Sequence, residues 1–227
     1  MNKIIKNIRI NILKLTHKAK SSHIGSCLSV VEILAVLYNK VLKKKDRFIL
    51  SKGHAALALY CTLFEKKLIS SKILNSFGSN KTILMSHVSH KVNGVEFSTG
   101  SLGHGLPVAV GKALKFKINN ENNKVFIVIS DGEINEGTTW ESLLFASHHK
   151  LNNLTIIIDF NKIQSMDFVN KVINIEPLKE KLISFGCNVC QINGHDLSAI
   201  HKALLKKNNK KPKVVIANTI KGKGISF

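Results

Sequence analysis

The chain has 227 residues, 44% of them hydrophobic, and a formal charge of +20. That length and apolar share suffice for one globular domain with a sizeable core, and no apolar run reaches membrane-spanning length. The charge does not describe a specific nucleic-acid reader: Arg9 and Arg47 are the only arginines, the lysines are scattered, and A/T-rich codons account for the abundance of Lys, Asn and Ile.

The first twenty residues are basic and lack acids, as in a transit peptide. Ile4, Ile5, Ile8, Ile12, Leu13 and Leu15 instead trace an amphipathic helix that packs on the domain, and that reading is preferred. Ser29 with Glu32 reads as a capping box opening a helix to about Asn39. Residues 46–54 read as a strand ending in a glycine turn before an Ala- and Leu-rich helix, and Ser71–Phe77 as a short helix. A glycine-rich stretch, residues 94–105, precedes a helix carrying Val108, Val110, Ala113 and Leu114. A polar loop then leads to Val125–Ser130, a β-branched run that reads as a buried strand.

Thr138–Lys150 reads as a helix with a second capping box, Thr138 and Glu141, and Leu154–Phe160 as a second buried strand. Strand, helix and strand in this order make a βαβ unit with parallel strands and a right-handed crossover. Pro177 and Gly186 bound the next helix, Cys187–Ile192 is a strand, Asp196 caps a helix to about Lys206, and Val214–Asn218 is the last strand. Cys187 and Cys190 are spaced like a redox pair, but positions three apart on a strand face opposite sides. They are expected to be core or surface thiols. With no repeat and no linker, residues 1–227 are expected to form a single α/β domain.

The chemistry falls at the strand ends. Asp131 follows one strand of the βαβ unit and Asn161 the other, so parallel pairing puts both at carboxyl ends, where open α/β sheets bind ligands. One charged and one neutral oxygen suit Mg²⁺, which keeps waters and phosphate oxygens in its other positions. Gly132 permits close backbone approach, and the helix beginning near Thr138 favours an anion at its start. Taken singly, each residue reads as an ordinary turn; paired on one βαβ unit, they predict a metal–diphosphate site.

The stretch D-G-E-x-N-E-G-x-x-W-E from Asp131, then A-x-H-H-K-L-x-N-L from Ala146 and D-x-N-x-I-Q from Asp159, resembles transketolases. So do Lys18–Gly25, Asp46–His54, Gly94–Gly105, Asn193–Asp196 and Thr219–Phe227, so the resemblance covers nearly the whole chain. Ser22, Ile24, Val88, His104 and Ser130 depart from the family's strings.

This resemblance implies a three-layer, parallel-sheet fold of the thiamine-diphosphate-binding type. It implies transfer of a two-carbon ketol unit between ketose and aldose phosphates, with thiamine diphosphate and Mg²⁺ as cofactors. Asp131, Asn161 and the backbone carbonyl of Ile163 are the implied metal ligands. His54, Gly100, Ser101, Leu102, Gly132, Glu136 and Asn161 are the implied cofactor-binding set, and His23, His54 and His87 the implied catalytic histidines. Glu136 and Glu141 are expected to face a neighbouring subunit. Lys52 reads equally as a phosphate partner or a solvated lysine, and His195 as structural. The implied partner is a separate C-terminal transketolase chain carrying the pyrimidine-binding domain and the activating glutamate, in a heterotetramer. The expected setting is the cytoplasm and the pentose phosphate pathway, with no membrane and no specific nucleic acid. The alternatives are half of another thiamine enzyme, of the 1-deoxyxylulose-5-phosphate synthase or 2-oxo acid dehydrogenase type, or a non-catalytic remnant that binds a partner.

Overall fold

A computed structural model describes residues 1–207 and 209–226; Asn208, within the second lysine cluster, and Phe227, at the end of the last matching string, lie outside them. The first helix, α1 (Asn2–Ala19), buries Ile8, Ile12 and Leu15 against the domain, which fits a packed helix better than a targeting segment. Two short helices follow, α2 (Ile24–Ser29) and α3 (Val31–Val36), then β1 (Arg47–Leu50) and α4 (Ala56–Glu65), which is buried along almost its whole length. Helix α5 (Ser71–Asn75) is capped by Ser70, and α6 (Gly105–Ile118) leads to β2 (Val125–Ser130). The crossover helix α7 (Gly137–His148) connects β2 to β3 (Leu154–Phe160). A single turn, α8 (Val169–Val172), then α9 (Leu178–Ser184), β4 (Asn188–Asn193), α10 (Leu197–Leu205) and β5 (Lys213–Asn218) complete the order.

Every pairing in the sheet is parallel, in the order β1-β2-β3-β5-β4. The central strands are buried on both faces because their residues alternate between two cores. Phe126, Val128, Ile157 and Val215 face α1 to α4 and α10. Val125, Ile127, Ile129, Ile156, Ile158, Val214 and Ile216 face α6, α7 and α9. The result is three layers, helices over sheet over helices, as expected. Cys187 joins one core and Cys190 packs against the other, and both thiols are free. Among the described residues no helix is long and apolar enough to cross a membrane.

Neither expected capping box forms. The Ser29 hydroxyl lies at the end of α2, not at a helix start, and donates to Asp159 Oδ2 at 2.6 Å. Glu32 turns to Arg9 and His195. At α7 the helix begins one residue earlier, at Gly137, and the Thr138 hydroxyl donates to Gly103 O at 2.9 Å. Tertiary partners outcompete the local N–H groups in both places. The Asp196 cap does form, accepting from the N–H groups of Ser198 and Ala199.

The carboxyl ends of β1 and β3 are joined by a buried ion pair between Lys52 and Asp159, both side chains 0% exposed. Asp159 also accepts from Ser29 and Thr219, and Lys52 donates to Ser26 O at 3.2 Å. Burial alone would raise the Asp159 carboxyl, but Lys52 and these donors hold it below the usual carboxylate range. Removing one partner strands a buried charge. Lys52→Met is therefore expected to cost about 3–5 kcal/mol in urea unfolding, with Lys52→Met/Asp159→Asn recovering a good part of it. A double variant as unstable as the single one would argue against charge stranding as the cause.

Candidate functional site

Parallel pairing sets Ser130 beside Asp159, so the residues that follow β2 and β3 emerge together at one sheet edge. There they line a cleft of about 410 Å³ that includes His23, His54, Leu102, Asp131, Gly132, Asn161, Ile163 and Lys221. Asp131 is buried, with Oδ1 accepting from Gly132 N at 2.9 Å and Oδ2 from Lys162 N at 2.7 Å. Burial raises its carboxyl to about 6 despite those bonds and the nearby Lys52 charge. Asn161 Oδ1 accepts from Ile163 N at 3.1 Å, with Lys162 at positive φ in the turn between them.

The three oxygens expected to bind metal, on Asp131, Asn161 and the Ile163 backbone, thus line one cleft. Among the described residues no group of three or more His, Cys, Asp or Glu could hold a metal. A single carboxylate with amide and carbonyl oxygens suits a hard cation completed by water and phosphate. The Ile163 carbonyl already faces a cation: Lys221 Nζ donates to it at 3.1 Å and to Gln164 O at 3.0 Å. Gln164, also lining the cleft, has a buried Nε2 with no partner, a donor suited to an anionic oxygen. The donor set therefore fits a cation and an anionic ligand together.

The three histidines converge. The His23 ring centroid lies 5.5 Å from that of His54 and 5.8 Å from that of His87. His23 precedes α2 at φ 69, a left-handed conformation that turns the chain into the cleft. His87 is fixed through its backbone, whose carbonyl accepts from Tyr60 Oη at 3.0 Å. His54 follows β1 in the turn Gly53–Ala55. Burial lowers its pKa to about 3, and the Lys52 cation pushes the same way. His54 is thus neutral near neutral pH. His23 is lowered too, by burial and then by the like charges of His87 and Lys221.

The glycine-rich stretch reaches the site in part. Leu102 lines the cleft, and Gly100 lies against the His87 ring, whereas Ser101 is exposed and outside the lining. Thr99 holds this loop to the end of β1 by donating to Leu50 O at 2.6 Å, and a side chain on Gly53 would strike Thr99 O. Glu136 and Glu141 are exposed, and Glu136 is not part of the cleft lining.

Two contributors lie beyond the residues expected from the sequence. Glu133 is fully buried and accepts from Ser51 Oγ, from Gly103 N at 3.0 Å and from Ser130 N at 3.4 Å, tying β1, the glycine loop and β2 together. The departure at Ser130 fits here, since its hydroxyl accepts from Glu133 N at 3.2 Å. Lys221 stands in the sequence only as part of a matching string; its place beside Gly222, just after a strand that ends at the same sheet edge, is the one available signal. His195 is structural in geometry, bridging Glu32 and Ile220 N.

The family described as transketolase, thiamine diphosphate binding domain, matches residues 1–226. The chain belongs to this transketolase family. It is 41% identical to a subunit of the apulose-4-phosphate transketolase of Actinobacillus succinogenes, over 100% of this chain and 87% of that one. It is 36% identical to 6-deoxy-6-sulfo-D-fructose transketolase subunit SqwG of a Clostridium species, over 97% and 84%. The transketolase crystal structure from Campylobacter jejuni superposes with a TM-score of 0.90 at 31% identity, over 97% of this chain and 38% of that one. The transketolase fold expected from the sequence is therefore the fold observed.

A folded-state pKa below the unfolded value of 6.5 means that the unfolded chain takes up the His54 proton first as pH falls. His54 thus subtracts stability progressively from pH 6.5 down to about 3. Thermal melts across that window should show a shallower loss in His54→Gln than in the parent. Equal slopes would mean that His54 charges freely in the folded chain.

Proposed function

We propose that this chain is the thiamine-diphosphate-binding component of a two-chain transketolase, moving a two-carbon ketol unit from a ketose to an aldose acceptor. The observation that carries this reading is the cleft at the strand ends where Asp131, Asn161 and Ile163 meet His23 and His54, with the His87 ring outside its lining but 5.8 Å from that of His23. Membership of the family and the two relatives named as transketolase subunits support it.

Asp131, Asn161 and the Ile163 carbonyl would hold Mg²⁺, and Lys221, Gln164 and Gly132 would meet the diphosphate. Thiamine diphosphate, when bound, supplies a carbanion that accepts and donates the ketol unit. His54, kept neutral by burial and Lys52, can accept or donate a proton at its ring nitrogens. His23 and His87, exposed beside it, line the approach for a sugar phosphate and offer donors to its oxygens. Gly100–Leu102 would support the cofactor from the other side.

The exposed Glu136 and Glu141 face outward and suit contact with further chains, a separate pyrimidine-binding chain among them, in a heterotetramer. A cytoplasmic setting, sugar-phosphate substrates as in the pentose phosphate pathway and no specific nucleic-acid partner belong to the same reading.

The test is ketol transfer with Mg²⁺ and thiamine diphosphate, by this chain alone and with a companion resembling the rest of a transketolase. Activity only with the companion is expected; activity alone would refute the two-chain reading. Asp131→Ala should weaken Mg²⁺-dependent cofactor binding, measured by calorimetry, by about a hundredfold or more. Unchanged affinity would remove Asp131 from the metal site.

A further inference from the structure

After β5 the chain turns across the mouth of the cleft and delivers Lys221 into it. Two bonds flank that residue. Ile220 N donates to His195 Nε2 at 2.9 Å, and Arg9 Nη1 donates to Lys223 O at 2.6 Å. Both holding side chains converge on one carboxylate. His195 Nδ1 lies 3.1 Å from Glu32 Oε2, and Arg9 Nη2 lies 2.6 Å from Glu32 Oε1. Because Nε2 accepts, the ring proton sits on Nδ1 and donates to Glu32, which fixes one tautomer. Arg9 also donates to Leu28 O at 3.0 Å, locking its guanidinium between α2 and the tail.

The three side chains are 10–15% exposed, so these bonds are shielded from water. Burial alone would raise the Glu32 carboxyl; the bonds from His195 and Arg9 outweigh it and hold it below the usual range. The segment they hold has little stiffness of its own. Gly222 and Gly224 adopt φ of 79 and 94, conformations that glycine enters freely and leaves as freely. Behind Lys221 the tail is tied at Thr219, whose N–H donates to Phe160 O at 3.1 Å, and beside it Gly222 N donates to Gly25 O at 3.0 Å. Lysine is a long, flexible side chain whose placement depends on a fixed backbone.

We propose that Glu32, acting through Arg9 and His195, clasps the tail and is the positioning residue that sets Lys221 Nζ on the Ile163 and Gln164 carbonyls, and so sets the cleft's affinity for a metal–diphosphate ligand. The ligand's identity rests on the cofactor reading above; the clasp does not. Arg9, Glu32 and His195 lie behind the tail, none of them lines the cleft, and each acts only through what it holds.

The experiment pairs amide hydrogen exchange over residues 219–226 with calorimetric binding of thiamine diphosphate in Mg²⁺. His195→Ala is the main variant, because Glu32→Gln strands Arg9 and can unfold the chain; retained exchange protection in β2 and β3 serves as the folding control. His195→Ala should speed tail exchange and weaken cofactor binding by about tenfold each, the worth of a lost hydrogen bond or two. In a Lys221→Met background the same change should add nothing to the loss of affinity, since positioning acts through the residue already removed. Unchanged tail exchange with native sheet protection would overturn the clasp, and additive losses of affinity would overturn its action through Lys221. If the parent chain binds no cofactor under any condition, the proposed function fails, while tail exchange still decides the clasp.

Discussion

The site depends first on the ion pair between Lys52 and Asp159. A lysine two residues after β1 and an aspartate near the end of β3 are withdrawn from water together, and the cost is offset by their mutual attraction and by the bonds to Ser26 O and from Ser29 and Thr219. The matching groups come from α2 and from the start of the tail. One buried pair therefore joins four segments distant in sequence, and all of them border the cleft. Its field also reaches the working groups: the Lys52 charge helps keep His54 neutral and opposes the effect of burial on Asp131.

Two buried glutamates extend the same logic outward. Glu133 gathers β1, β2 and the glycine-rich loop through Ser51, Ser130 and Gly103. Glu32 gathers α1, the start of α10 and the tail through Arg9 and His195. Both carboxylates sit behind the cleft, and each fixes a backbone segment whose own sequence is too rich in glycine to hold a shape. Acidic residues are scarce in this chain, 14 against 34 Lys and Arg, and these two serve its interior.

Much of this is legible in the residues alone. The β-branched runs of β2 and β3 could only be buried strands, and their parallel pairing puts Asp131 and Asn161 together without further information. Gly186 and Asp196 mark the helix ends expected of them. Polar side chains with apparent local roles are where the sequence misleads. Ser29 and Glu32 have the spacing of a capping box, as do Thr138 and Glu141, but local spacing cannot reveal that Asp159, Arg9 or Gly103 waits nearby with a better partner. For the same reason Glu133 and Lys221 stay hidden. A glutamate in an acidic loop and a lysine in a lysine-rich tail look solvated until the fold brings buried donors to one and carbonyl oxygens to the other.

The contact of Lys221 with the Ile163 and Gln164 carbonyls has one more consequence. Those oxygens point inward together, an arrangement that would repel itself if left bare. Here the chain supplies its own counterion, so the oxygen lining can be assembled before any ligand arrives.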